Sequence, residues 1–581
     1  MKNDLRFAVS VGAAAGAVEA ALRSSSAHGW GFVQLGAFIV LSVALPSLIA
    51  GALALLASRM QSPASRRAVV TAMLGGVIAA VAYRYDFVLN ERFRDPRVWA
   101  GVPAAFLVGA GIAGVAGRWL TVRGLTLLAG SALVVAAGRA WPISGALASV
   151  ERPNILVISM DTTRADHVAG MPTWDRLAAE GTTFTQAIAA APITEPSHLA
   201  MFTGIAPFRS GIVSNGTELG ERPLVWKEFA AAGYLTAGFV AGFPLHSKYG
   251  WDQGMHVWDD DFGLWPGAET LTWVKAWNQV ALKEHALRER TADRVVDHAA
   301  TWLSAHRNEQ FFAFVHFYDA HGPYVSPHNA SLGPAPTEGE PLALPPYWPP
   351  AARAITSAEW LKRAYEAEVT TVDEAVAQVL ASLGERLDNT IVVVTADHGE
   401  SLGEHGVLFD HGDDLYDPSL RVPLVVRWPG HVRAGVSLDC QVGGVDLAPT
   451  LRALAGLPAP PGEHIDGVSR AAELTSGGCR PTPVVSSTTA GRFVERPPVD
   501  HALRNEGSKL ILKEVGPVES YDLLADPGEL HNLAPILEPV EVIAAFRTLL
   551  GTGTAGLSPT LDAETRNALE LLGYIDPVEA P

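Results

Sequence analysis

Residues 153–168 read Pro-Asn-Ile-Leu-Val-Ile-Ser-Met-Asp-Thr-Thr-Arg-Ala-Asp-His-Val. Asn154–Met160 is an almost unbroken apolar run of strand length, and it stops at Asp161. A strand with no polar alternation is one buried on both faces, which suggests a parallel sheet with helices on either side. The pattern recurs three times. Phe311–Phe317 leads to Asp319 and His321, Thr390–Thr395 leads to Asp397 and His398, and a further apolar run occupies 422–427. Between the second and third runs, residues 358–383 place Tyr365, Val369, Val372, Val376, Val379 and Leu383 on one helical face. Strands alternating with helices predict a doubly wound α/β core, whose chemistry gathers at the carboxyl ends of the strands.

Outward from that core the composition divides. The chain has 581 residues and a formal net charge of −18. Residues 1–150 hold 13 basic and 5 acidic side chains, whereas 151–581 hold 30 and 56. This excludes a small single domain, a disordered acidic chain and a basic nucleic-acid binder, so no nucleic-acid partner is expected. Two cysteines, Cys440 and Cys479, exclude a disulfide-rich scaffold or a four-cysteine zinc module. They could pair outside the cytoplasm or remain as buried thiols.

The basic N-terminal part is also the apolar part. Segments near 7–22, 31–57, 66–83, 99–117 and 121–138 have the length and composition of membrane spans. Residues 1–140 are therefore expected to form a helical membrane domain of about five spans, making the protein multi-pass with the membrane as a partner. Arginines at 59, 66, 67, 118 and 123 favour cytoplasmic loops, which puts residue 140 onward on the extracytoplasmic side. The arginines of loop 84–97 argue the other way. A Pro/Gly/Ala-rich linker follows at 141–152, then the core at 153–435. A C-terminal subdomain and tail occupy 436–581, where short strands at 483–487, 501–504 and 509–513 predict a small antiparallel sheet before a helical tail at 561–573. No internal repeat is visible.

Asp161 together with Asp397-His398-Gly399 supplies two carboxylates and an imidazole at strand ends, which, brought together at one sheet edge, make a donor set suited to a divalent cation. Each residue alone could equally be a turn former. Thr194, in the stretch Thr-Glu-Pro-Ser-His-Leu-Ala-Met-Phe-Thr-Gly (194–204), precedes a predicted helix. It reads either as an N-terminal cap or as a hydroxyl placed where helix N–H groups favour negative charge.

Taken in order, the runs at 153–168, 194–204, 311–324 and 389–430 resemble the sulfatase family of the alkaline phosphatase superfamily. So do the later segments VDLAPTLRALAGLP, SYDLLADPGELHNLA and ELLGYI. The resemblance covers roughly 153–575. It implies an alkaline-phosphatase-like catalytic core with one divalent cation (Ca, Mn, Zn or Mg) held by Asp161, Thr194, Asp397 and His398. It puts Thr194 at the nucleophile position of the family's Cys/Ser-x-Pro-Ser-Arg motif. It implies His321 and His411 as catalytic groups, and His198, His405 and Ser197 as substrate-binding or supporting ones.

Three departures from the family pattern stand out. The nucleophile position holds Thr194 instead of Cys or Ser. The β-carbon of threonine bears a methyl group and cannot become an aldehyde, so no formylglycine is expected. The motif arginine is His198, and the second residue of the family's Asp-Asp pair is Thr162. A threonine nucleophile resembles the phosphoryl-transfer branch, which includes membrane-bound phosphoethanolamine and phosphoglycerol transferases. The sequence thus predicts a membrane-anchored, metal-dependent hydrolase of phosphate or sulfate esters, acting on a small-molecule, lipid or glycan ester. A head-group phosphotransferase and a catalytically silent binding protein of the same fold are the alternatives.

Overall fold

The computed structural model describes residues 152–260, 262, 289–345, 347–460, 465–489, 499–537 and 540–551. The five apolar segments, nearly all of the 141–152 linker and the 561–573 tail lie outside the described residues. Among those described, no helix is long and apolar enough to cross a membrane. The elements below all belong to one compact unit.

The main sheet is built from β1 (Asn154–Met160), β2 (Thr182–Ile188), β3 (Leu235–Phe239), β4 (Val257–Asp259), β5 (Phe311–Phe317) and β6 (Thr390–Thr395). A two-stranded ribbon, β7 (Ser401–Leu402) and β8 (Leu408–Asp410), follows β6, and β9 (Arg421–Val422), β10 (Leu424–Arg427) and β11 (Val436–Gly443) return to the main sheet. Its order is β11-β2-β10-β6-β1-β5-β3-β4, with β9 paired to β2. The three strands read first from the sequence are its centre. β1 lies between β5 and β6, parallel to both, and every residue of the three is buried. That is why they lack polar alternation.

The fourth run departs from the expected parallel pattern. Pro423 has no N–H for a ladder and separates β9 from β10. Both pieces run antiparallel to their neighbours, so the sheet is mixed. Strands β2, β3, β4 and β11, which the sequence did not mark, complete it.

Helices cover the sheet: α1 (Pro172–Glu180), α2 (Thr194–Thr203), α3 (Ala292–Ala305), α4 (Ala358–Leu383) and α5 (Leu447–Leu454). The 358–383 helix forms as expected. Ser357 accepts the N–H of Trp360 at its start, and the face from Tyr365 to Leu383 is buried. The C-terminal antiparallel sheet also forms, as β12 (Val484–Thr489), β13 (Val499–Arg504), β14 (Ser508–Leu512) and β15 (Glu519–Asp522). It is fastened to the core by the Ser486 hydroxyl, which donates to the Ala189 carbonyl at 2.6 Å, and by Arg504, which pairs with Asp417 at 2.8 Å. Cys440 on β11 is disulfide-bonded to Cys479.

Candidate active site

Strand register brings the two acidic strand ends level. Ser159 of β1 is opposite Thr395 of β6 on one side and His316 of β5 on the other. Two residues further along each chain come Asp161 and Asp397. Beyond Asp397 the chain must turn sharply under the 417–420 helix, and a side chain at Gly399 would have its Cβ 2.0 Å from the Pro418 carbonyl oxygen. Glycine is the residue that fits this close approach. Arg164 fastens the turn after β1 to this loop, donating to the Glu400 carbonyl at 3.1 Å and pairing with Glu404 at 2.9 Å.

Asp161, Asp397 and His398 are fully buried, and their ligating atoms lie within 4.8 Å of one another. The hydrogen bonds decide which atoms face inward. His398 Nδ1 lies 2.9 Å from the Gly399 carbonyl, which can only accept, so Nδ1 carries the proton and Nε2 the lone pair. Asp397 Oδ1 accepts the His398 N–H at 2.9 Å. Three buried atoms, Asp161 Oδ1, Asp397 Oδ2 and His398 Nε2, have no hydrogen-bond partner among the described residues. His398 Nε2 lies 3.9 Å from Asp161 Oδ1 and 3.4 Å from Asp397 Oδ2. Two carboxylate oxygens and an imidazole lone pair converging without donors form a seat for a divalent cation, and the residues present fit one. Burial raises the Asp161 carboxyl to about 6, with the His398 ring and hydrogen bonds opposing it. Burial and the neighbouring Asp161 raise Asp397 as well. This is the signature of acids that need a positive charge between them.

Thr194 is the first residue of α2, with Ile193 as the N-cap and no side-chain cap bond. The capping reading is therefore not what the structure shows. Its hydroxyl is buried and donates to Asp161 Oδ2 at a long 3.4 Å. Thr162, at the place of the family's second aspartate, turns its hydroxyl onto the Asp161 carbonyl at 2.8 Å, away from ligation.

The supporting residues fall in several places. Ser197 donates to the Asp397 carbonyl at 2.6 Å, tying α2 to the end of β6. His198 is buried, with Nδ1 2.8 Å from the Thr194 carbonyl and Nε2 2.9 Å from the Ser159 hydroxyl. Burial lowers it to about 3, so it is uncharged. His411 lies beside the cation seat, its ring 4.5 Å from that of His398 and Nδ1 3.3 Å from Glu400. The His321 ring stacks on Tyr318 at 4.4 Å and meets His411 edge-on at 4.9 Å. His405 stands apart. It stacks on Tyr416 at 3.6 Å, and no hydrogen bond, ion pair or ring contact joins it to Asp161, Asp397 or His398 among the described residues.

Sequence reasoning passed over two side chains that the structure places here. Asn215 accepts the Glu195 N–H at 2.8 Å beside the first turn of α2, and its Nδ2 has no partner among the described residues. His316 touches Asp161 itself, with Nε2 3.1 Å from Oδ2. No local signal marked Asn215. His316 was visible as the one polar residue in an otherwise apolar strand.

A mixed α/β sheet with two carboxylates and an imidazole gathered at parallel strand ends, and a helix starting beside them, is the fold of the alkaline-phosphatase-like hydrolases. Residues 153–457 match the sulfatase family, and 403–552 match the C-terminal region of N-sulphoglucosamine sulphohydrolase. The chain belongs to the sulfatase family and is a hydrolase of the sulfuric-ester class. It is 29% identical over 427 residues to the uncharacterised sulfatase YidJ of Escherichia coli, covering 66% of this chain and 83% of that one. It is 26% identical over 443 residues to a choline-sulfatase of Rhizobium meliloti, covering 66% and 82%. Among solved structures it is similar in fold to the phosphonate monoester hydrolase of Agrobacterium radiobacter. That similarity has a TM-score of 0.54 at 21% identity and covers 69% of this chain and 95% of that one.

Proposed function

We propose that the chain is a metal-dependent hydrolase of sulfate or phosphate-type esters that uses the unmodified Thr194 hydroxyl as nucleophile. The observation that carries it is the convergence of three buried, unpartnered ligand atoms beside that hydroxyl. A divalent cation held by Asp161, Asp397 and His398 would supply the positive charge that acidifies Thr194 and neutralises non-bridging oxygens of the ester. Thr194 Oγ1 forms the new bond to sulfur or phosphorus as the bond to the leaving alcohol breaks, and its proton passes toward Asp161 Oδ2. His411, beside the cation seat, and His321, edge-on to it, would give a proton to the departing alkoxide. The N-terminal end of α2 faces the developing charge. A threonine ester cannot collapse to an aldehyde, so an activated water must resolve it. Relatives named for sulfate and phosphonate esters support this range of substrates.

Transfer to an acceptor alcohol is the second reading. The apolar segments of residues 1–140 favour it, because a membrane anchor places the site near lipid and glycan acceptors. The Cys440–Cys479 disulfide supports an extracytoplasmic catalytic domain, since disulfides persist in oxidising compartments.

The test is activity of the full chain on p-nitrophenyl sulfate, phosphate, phosphodiester and phosphonate with Mn, Zn, Mg or Ca. Labelled lipid in membranes distinguishes transfer from release. Turnover that persists after complete chelation would overturn the cation-dependent mechanism.

A further inference from the structure

His198, His316 and Asp397 also bring ligand-type atoms within 4.8 Å of one another, as if for a second cation. Their hydrogen bonds argue for a different role. The Thr194 carbonyl, 2.8 Å from His198 Nδ1, can only accept, so that nitrogen carries a proton. The same Nδ1 is 3.5 Å from Asp397 Oδ2. His316 Nδ1 accepts the Ala241 N–H at 3.4 Å, which leaves the proton of the neutral ring on Nε2, 3.1 Å from Asp161 Oδ2. His198 therefore gives its N–H to the Thr194 carbonyl and His316 gives its own to Asp161, and neither offers that nitrogen as a ligand.

The surroundings make this arrangement costly unless it has a use. His316 is fully buried in β5, and the His198 ring lies 5.1 Å away. Phe314 and Tyr318 flank His316 within 6.2 Å, and Phe314 and Phe202 flank His198 within 6.3 Å. In such an apolar shell an imidazole without a partner loses its hydration with no return. The return here is geometric. Asp161 Oδ2 takes both the His316 N–H and the Thr194 hydroxyl, and Oδ1 is left without a partner among the described residues.

We propose that His316 is a positioning residue of the cation site: its Nε2–H fixes Oδ2 of Asp161 so that Oδ1 is the oxygen presented to the ion. The inference rests on the cation reading above. Residues that hold a ligand in place from behind typically change metal affinity by about 10–100-fold when they are removed.

The experiment measures Mn affinity of the full-length chain, stripped by chelator and titrated in competition with a fluorescent chelator. Four variants are compared. His316→Phe keeps a ring of similar size without the N–H, and His316→Gln carries an N–H that reaches the Nε2 position. His316→Asn falls short of it, and Asp161→Asn tests the ligand itself. His316→Phe and His316→Asn are expected to bind Mn about 10–100-fold more weakly than the parent, and His316→Gln within a few-fold of it. All three should melt near the parent when metal-free, since a purely structural role would move that value instead. Parent-like affinity in His316→Phe and His316→Asn, or equal weakening in His316→Gln, overturns the inference. Should His316→Phe fail to fold, the Gln and Asn pair decides alone. If Asp161→Asn itself binds Mn like the parent, the cation reading fails as well; loss in Asp161→Asn alone overturns only the role of His316.

Discussion

Replacing Thr194 with alanine separates catalysis from stability in a way the structure makes quantitative. The hydroxyl makes a 3.4 Å hydrogen bond to Asp161, at the weak end of the range, and the side chain is fully buried. Alanine removes that bond and one buried methyl, which together cost about 1–2 kcal/mol of folding free energy. The remaining ligand atoms of Asp161, Asp397 and His398 stay in place. Activity responds on another scale. Removing a nucleophile that works as one unit with its neighbours costs about 10⁴–10⁶-fold, or about 5–8 kcal/mol of transition-state stabilisation. Thr194→Ser keeps the hydroxyl and loses only the methyl, so it should remain within about ten-fold of the parent, at a stability cost of about 1 kcal/mol. Steady-state rates on the best p-nitrophenyl ester, measured beside urea unfolding curves, check both halves. Alanine with parent-like kcat, or serine as inactive as alanine while folded, refutes Thr194 as nucleophile. A trapped ester on the Thr194 peptide, found by mass spectrometry after rapid quenching, is the positive counterpart.

Chelation should abolish turnover and lower the melting temperature, because Asp161 and Asp397 are then buried together without a cation. Restoring metal to about 100 times its Kd should return about 2.7 kcal/mol of stability, and melting in chelator and in metal measures it. Lys509 is fully buried, with Nζ 2.6 Å from both Asp417 and Glu529. Asp417 keeps its pair with Arg504, but Lys509→Ala strands the buried Glu529 carboxylate and should cost about 3–5 kcal/mol in urea denaturation; a loss under about 1 kcal/mol would mean water reaches the site. Burial pushes His501 down to about 4, against an upward pull from Glu514. Between pH 6.5 and 4 the unfolded chain takes up a proton that the folded one refuses, so stability falls as the pH drops through that window. His501→Gln should flatten the slope of the urea midpoint against pH in part, since His198 is depressed in the same sense. An unchanged slope would show that His501 does not contribute.

Legibility in the sequence followed the range of the forces involved. The three central strands were readable because burial on both faces leaves an apolar run, and helix α4 because its buried stripe has a helical period. Strand β2, Thr-Thr-Phe-Thr-Gln-Ala-Ile, escaped notice. It carries hydroxyl and amide groups, and its place in the sheet comes from β10 and β11, more than 230 residues away. The reversal of β10 was equally hidden, since an apolar run does not encode direction. Asp161, Asp397 and His398 were legible because each ends such a strand, and parallel register then brings strand ends together. His405 and His411 show the limit of that logic. They lie six residues apart around the β7–β8 ribbon, yet one stacks on Tyr416 and the other on the cation seat. Nothing in their local sequence distinguishes them, because the turn between them includes His405 itself at a φ of +54°.

The histidine at 198, read from the sequence as a departure from an arginine, acquires its meaning from His316. An arginine there would bring a fixed positive charge toward Thr194. The uncharged His198 ring instead bonds the Thr194 carbonyl and the Ser159 hydroxyl, while His316, one strand over, bonds Asp161. Neither His198 nor His316 thereby supplies a fixed positive charge to Asp161 and Asp397. Such a site needs its cation more than an arginine-bearing one does. The loss of activity on chelation should accordingly be complete, and no residual rate should survive on even the most activated ester.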